Sequence, residues 1–133
     1  MSKLTYSIYE GFGERSKEQF NYSQAVRIGD HIEVSGQGGW DRTTDKCPED
    51  LSVEVDQTFD NIEHALKKAG GTGLDQVYKL RYYITGPLDK YAGPVERIMK
   101  ERFKKHSPLL TIVQVVSLYG NMRIEIEAEA YVG

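Results

Sequence analysis

From Arg123 to Val132 apolar and polar residues alternate without a break: Ile124, Ile126, Ala128, Ala130 and Val132 against Glu125, Glu127, Glu129 and Tyr131. Side chains on a strand point alternately to opposite faces, so this run demands a sheet with one buried face and one that tolerates carboxylates. A second pattern says what buries the first face. Val55, Phe59, Ile62, Leu66 and Ala69 recur at alternating spacings of four and three, which puts them on one stripe of a helix over 51–69. Burying that stripe contributes on the order of 10 kcal/mol before entropy is subtracted. Pro48-Glu49-Asp50 suits the helix start and Gly70-Gly71 its end.

The remaining elements follow the same logic. Leu4 to Ile8 adds an edge strand. Tyr22 to Ser35 predicts a hairpin with a three-residue loop, Gly29-Asp30-His31, which pairs Ile28 with Ile32, Val26 with Val34 and Arg27 with Glu33. A two-residue loop would instead set Val26 against Glu33. Val77 to Thr85 is a Tyr- and Ile-rich strand. A second helix, 91–105, carries Val95, Ile98, Met99 and Phe103 on one side, with Pro94 in its first turn. Leu109 to Leu118 is a strand with Leu110, Ile112 and Val116 on one face and Val113 and Val115 on the other. The result is an α+β domain spanning 1–133, a mixed sheet with two helices on one face. The opposite face of the penultimate strand stays apolar and needs a cover, for which a second copy of the chain is the simplest candidate.

The chain has 133 residues, one cysteine (Cys47) and a formal net charge of −3 with both signs scattered. That size fits one domain. The start, Met1-Ser2-Lys3-Leu4-Thr5-Tyr6, has no apolar core of a signal peptide, and no apolar run approaches a membrane span. The expectation is a cytoplasmic protein with no membrane partner. The charge argues against nucleic acid as a partner. The basic pairs Lys67-Lys68 and Lys104-Lys105 fall at predicted helix C-termini, where cations offset the dipole. His31, His64 and His106 form no metal-ligand spacing with each other or with Cys47; His64 follows Asp60 by four residues, a helix surface pair. No nucleophile elbow, phosphate loop or dinucleotide fingerprint is present.

Two features carry chemistry. Gly36-Gln37-Gly38-Gly39 is either a flexible turn after a strand or a place where the backbone approaches a small ligand closely. Glu125 and Ser35 both face away from the helices, toward the expected partner. A carboxylate at a partly desolvated seam can act as a base, whereas Glu127 and Glu129 read as solvated.

Tyr22-Ser23-Gln24-Ala25, Ile28-Gly29-Asp30, Val34-Ser35-Gly36-Gln37, Asp60-Asn61-Ile62, Ala69-Gly70-Gly71 and Arg123-Ile124-Glu125-Ile126-Glu127-Ala128 stand in an order and spacing that resemble the reactive-intermediate deaminase (Rid, YjgF-like or L-PSP) family from about residue 20 to 132. The resemblance implies a chorismate-mutase-like fold of the bacillus type and a homotrimer with clefts between subunits. It implies hydrolysis of enamines or imines to ketones or keto acids plus ammonia, with no cofactor. It makes Tyr22, Ser35 and Gly36 ligand-binding residues and Glu125 the group that positions water. It also exposes departures. The family arginine that grips a substrate carboxylate is Leu110, the following cysteine position is Ile112, and the cleft asparagine corresponds approximately to Glu96. Trp40, after Gly38-Gly39, offers a stacking wall or a loop-packing residue. Arg42 is the arginine whose loop could swing toward the cleft. Replacing a guanidinium by Leu110 removes a bidentate carboxylate anchor. Three functions are therefore weighed: an enamine/imine deaminase, a non-deaminase trimer that binds a neutral or apolar metabolite, and an endoribonuclease, which the charge opposes.

Overall fold

The computed structural model describes residues 3–133; Met1 and Ser2, at the head of the polar start, lie outside the described residues. The described residues form six strands and three α-helices in the order β1 (Leu4–Ser7), α1 (Phe12–Phe20), β2 (Ala25–Ile28), β3 (His31–Gln37), α2 (Leu51–Lys68), β4 (Val77–Ile84), α3 (Leu88–Arg102), β5 (Leu109–Gln114) and β6 (Ile124–Tyr131), with one 3-10 turn at Leu74–Gln76. One six-stranded sheet has the order β1-β2-β3-β6-β4-β5. It is mixed: β4 and β5 run parallel and the other neighbours antiparallel. No helix is long and apolar enough to cross a membrane, among the described residues.

The core is where the two periodicities placed it. Val55, Phe59, Ile62 and Leu66 of α2 and Val95 and Ile98 of α3 are buried against Ile124, Ile126, Ala128 and Ala130 of β6 and Leu80, Tyr82 and Ile84 of β4. Ala69, the last of the α2 stripe, is partly buried at the C-cap. Asp50 caps α2 by accepting the Val53 N–H at 3.1 Å.

Four expectations are corrected. The hairpin closes through two residues, Gly29-Asp30, so Ala25 pairs with Val34, Val26 with Glu33, Arg27 with Ile32 and Ile28 with His31. Gly29 adopts φ 58°, the glycine-first geometry of a tight hairpin turn. The three-residue register fails because β2 turns Ala25, not Val26 and Ile28, toward the core, and Val26 and Ile28 stay half-buried on the other side. The second helix begins at Leu88 behind Pro87, so Pro94 lies inside it rather than in its first turn and Lys104-Lys105 fall beyond its end. The strand expected to reach Leu118 ends at Gln114. A third helix, α1, was not anticipated. Its only large apolar residues, Phe12 and Phe20, sit at opposite ends and make no stripe. Its signals are local: the Glu14 carboxylate accepts the Gly11 N–H at 3.0 Å, and Asn21 ends it at φ 57°.

The penultimate strand β5 is the outer edge of the sheet, and Leu109, Leu110 and Val113 are exposed along it, as is Val116 just beyond. That edge is the apolar surface in need of a cover.

Candidate functional site

β3 ends in a register shift between Val34 and Gln37, where its pairing with β6 is interrupted. The shift brings Gly36 against Glu125: a Cβ at residue 36 would coincide with the Glu125 carboxylate. The glycine here lets a side chain, Glu125, approach the backbone closely, a role that neither reading of the Gly-rich run included. The chain then enters the 38–50 loop, which is held from several sides. Asn61 of α2, fully buried, donates to the carbonyls of Gly38 at 2.8 Å and Trp40 at 2.9 Å. Glu54, also fully buried, accepts from the Arg123 backbone N–H and guanidinium, each at 2.7 Å, while Arg123 donates on to the carbonyls of Pro48 and Glu49. Asp41 turns the tip of the loop by accepting from the N–H groups of Thr43 and Thr44.

α1 leans on this loop. The Phe12 N–H donates to the Arg42 carbonyl at 2.8 Å. Arg15 grips Asp45 with Nε at 3.1 Å and Nη2 at 2.6 Å, and reaches the carbonyls of Arg42 and Thr43. Trp40 is stacked on Phe12 with ring centroids 3.7 Å apart, and its indole N–H donates to the Tyr9 hydroxyl at 2.9 Å. Tyr9 donates in turn to Gln37 at 2.7 Å. Burial raises the Tyr9 phenol well above its usual range, so it stays protonated as this relay needs.

Between the loop, α1 and the sheet lies a cleft of about 410 Å³, with Glu125, Gly36, Tyr22, Trp40, Phe12 and Tyr119 in its lining. Glu125 is half-buried and has no hydrogen-bond or ion-pair partner among the described residues. Burial raises its carboxyl above the usual value, and the neighbouring Glu127 adds to the effect. Cys47 lines the same cleft, and burial pushes its thiol up, away from the reactive thiolate.

The expected site residues divide into groups. Tyr22, Gly36, Trp40 and Glu125 share the cleft. Ser35 lines an adjoining hollow with Glu33 and Glu127, and its hydroxyl lies within hydrogen-bond distance of the Ser23 carbonyl at 3.0 Å and the Gln24 carbonyl at 3.2 Å. Glu96 is on α3, paired with Lys100 at 3.1 Å. Leu110 and Ile112 are on β5, level with Leu80 and Tyr82 on the helix-covered side, whereas Glu125 is level with Tyr83 and Val113 on the other. Within one chain, then, Leu110 and Glu125 lie on opposite faces with β4 between them. Arg42 does not reach the cleft; it donates to Asn61 at 2.8 Å. Arg15 does line it and was missed, because nothing in the pattern marked α1 as a helix. Glu127 and Glu129 are not simply solvated: Tyr83 donates to Glu127 at 2.6 Å and Tyr78 to Glu129 at 3.2 Å, with Arg81 and Lys79 nearby. His64 pairs with Glu10 at 2.9 Å rather than with Asp60, which pairs with Arg102. Among the described residues no group of three or more His, Cys, Asp and Glu is placed to hold a metal ion.

Residues 13–132 match the family described as endoribonuclease L-PSP. The chain is 34% identical over 108 residues to a 2-iminobutanoate/2-iminopropanoate deaminase from Dermatophagoides farinae, covering 80% of this chain and 82% of that protein. The fold is similar to the crystal structure of RidA from an Antarctic Psychrobacter, with TM-score 0.78, 30% identity and coverage of 84% and 88%. It is also similar to a YjgF/YER057c/UK114-family protein from Mycobacterium tuberculosis, with TM-score 0.81, 28% identity and coverage of 98% and 100%. With its strand order, its closing Glu-bearing strand and this match over nearly its full length, the chain belongs to the Rid, YjgF or L-PSP family.

Proposed function

We propose that this protein hydrolyses a small imine or enamine to a ketone and ammonia in the cleft beneath Glu125. The observation that carries the reading is the half-buried Glu125 carboxylate, unpartnered and set against the Gly36 backbone. A carboxylate without a protein partner is available to accept a proton from water, and partial desolvation brings its pKa closer to a working base. Relatives named as 2-iminobutanoate/2-iminopropanoate deaminases support the reaction class.

The chemistry balances without a cofactor. Water oxygen attacks the iminium carbon while the C=N π electrons move to nitrogen; Glu125 takes the water proton and returns it to nitrogen. The C–N bond then breaks with its electrons leaving on nitrogen as ammonia, while the hydroxyl proton passes back to Glu125 and the O–H electrons close the carbonyl; that proton leaves with the ammonia as ammonium. Tyr22, whose hydroxyl has no partner among the described residues, is a further polar side chain in the lining that would face the substrate.

In this reading the chain acts as a homotrimer. The exposed apolar edge of β5 supports the assembly, because a neighbouring copy would cover it. A neighbour's β5 would also bring its Leu110 and Ile112 to the cleft and make that wall apolar. Glu96 would approach with α3. A second reading, a trimer that binds a neutral or apolar metabolite without turnover, is favoured by Leu110 at the position where the family resemblance places an arginine.

The test combines assembly and turnover. Sedimentation should give three times the 15.1 kDa chain mass. Purified protein given freshly generated imines should release ammonia faster than buffer, and Glu125→Gln should abolish the difference. Ammonia release equal to buffer for carboxylated and uncarboxylated imines alike leaves the binding reading in its place.

A further inference from the structure

The cleft presents more aromatic surface than orienting a water molecule requires. Phe12, Phe20, Tyr22, Trp40 and Tyr119 all line it. They are organised in pairs: Phe12 stacked on Trp40, and Phe20 edge-on to Tyr119 with centroids 5.4 Å apart. Ring faces carry negative quadrupole density and attract cations, most strongly where water is partly excluded.

The charges of the lining point the same way. Arg15, Asp45 and Glu125 are its charged residues, a formal sum of −1. Arg15 is already balanced by the two-pronged contact with Asp45 and by two backbone carbonyls. Glu125 has no counter-ion among the described residues. An anion entering the cleft would meet a carboxylate without a counter-ion and a lining rich in aromatic side chains. A cation would meet the same groups with the opposite sign of energy.

Resting on the reading of this cleft as the ligand site, we propose that it selects a small organic cation, a protonated amine or iminium on an apolar body that bears no carboxylate. Glu125 supplies the counter-charge, and the Phe12–Trp40 and Phe20–Tyr119 pairs supply walls for both the charge and the apolar body. The cleft volume of about 410 Å³ leaves ample room for a body with a six-membered ring.

Three probes of equal shape separate charge from hydrophobicity: cyclohexylammonium, cyclohexanol and cyclohexanecarboxylate. Trp40 is the only tryptophan, so its fluorescence reports on the cleft wall directly, with calorimetry as the second readout. Cyclohexylammonium is expected to bind about tenfold or more tighter than cyclohexanecarboxylate, with cyclohexanol between them. Glu125→Gln should bring the ammonium down to the alcohol. Phe20→Leu, which keeps an apolar side chain but removes a ring face, should weaken the ammonium several-fold more than the alcohol. Carboxylate binding as tight as ammonium, no ammonium binding, or a preference that survives Glu125→Gln would each overturn the assignment. None of the probes is hydrolysed, so ammonium selectivity without imine turnover sinks only the hydrolase reading. Imine turnover with carboxylate selectivity sinks only this one.

Discussion

The Glu125 carboxylate lies against the α-carbon of Gly36, so that even a methyl group at residue 36 would occupy its place. The contact joins the end of β3 to the start of β6 where the strand register slips. Gly36→Ala must therefore push Glu125 out of position. The expected outcome is a loss of about 1–3 kcal/mol in unfolding free energy from overpacking, together with a drop in cleft affinity or turnover of at least about tenfold. Urea unfolding and ligand titration check the two parts. Unchanged titration in a folded Gly36→Ala variant would show that Glu125 does not need its present position.

Glu125 also sets a pH dependence. Burial and Glu127 raise its carboxyl above the ordinary value of 4.5, so between that value and the raised one the folded chain holds more protons than the unfolded chain. Its contribution to stability is then best on the acid side and declines as pH rises through this window. Glu125→Gln removes the decline. Thermal melts of both proteins from about pH 4 to about pH 7 should show the glutamine variant gaining on the wild type with rising pH. A glutamine variant that keeps a constant offset from the wild type, or loses ground to it, as pH rises contradicts the assignment.

Arg123 and Glu54 hold the cleft loop to the sheet. Glu54 is fully buried and its carboxylate is matched by the Arg123 guanidinium and backbone N–H. Arg123→Met leaves a buried carboxylate with one partner fewer and should cost roughly 3 kcal/mol, the low end for a broken buried pair because the arginine is about a third exposed. Adding Glu54→Gln should recover part of that loss. If the double variant is no more stable than Arg123→Met alone, the uncompensated charge is not the cause.

Leu110→Arg tests the proposed seam between copies. If a neighbour's β5 borders the Glu125 cleft, the new guanidinium should raise affinity for a small 2-oxo acid by about tenfold or more, read by Trp40 fluorescence. In a single chain Leu110 is on the opposite face from Glu125, so an isolated subunit should show no gain. An unchanged affinity in a confirmed trimer argues against that border.

Strictly periodic segments were legible in the sequence because burial itself imposes the period. The α2 stripe and the alternation of β6 identify their core faces residue by residue. The hairpin register was not legible: Val26 and Ile28 look like core residues, and only the sheet around them shows that Ala25 takes the inner position. α1 was hidden for a related reason, since it is held by caps and by Arg15 on a distant loop rather than by an apolar stripe. Tyr22, Gly36, Trp40 and Glu125 could be named in advance, and the family resemblance assigned them to a cleft, but no local pattern shows the geometry by which they meet. It depends on a register slip between strands nearly a hundred residues apart and on the buried amide of Asn61 that pins the loop. Short-range pattern determined which faces are buried, because solvent exclusion acts on each side chain in turn. Only the tertiary structure decided which polar groups meet, because that is set by long-range pairing geometry that no local period encodes.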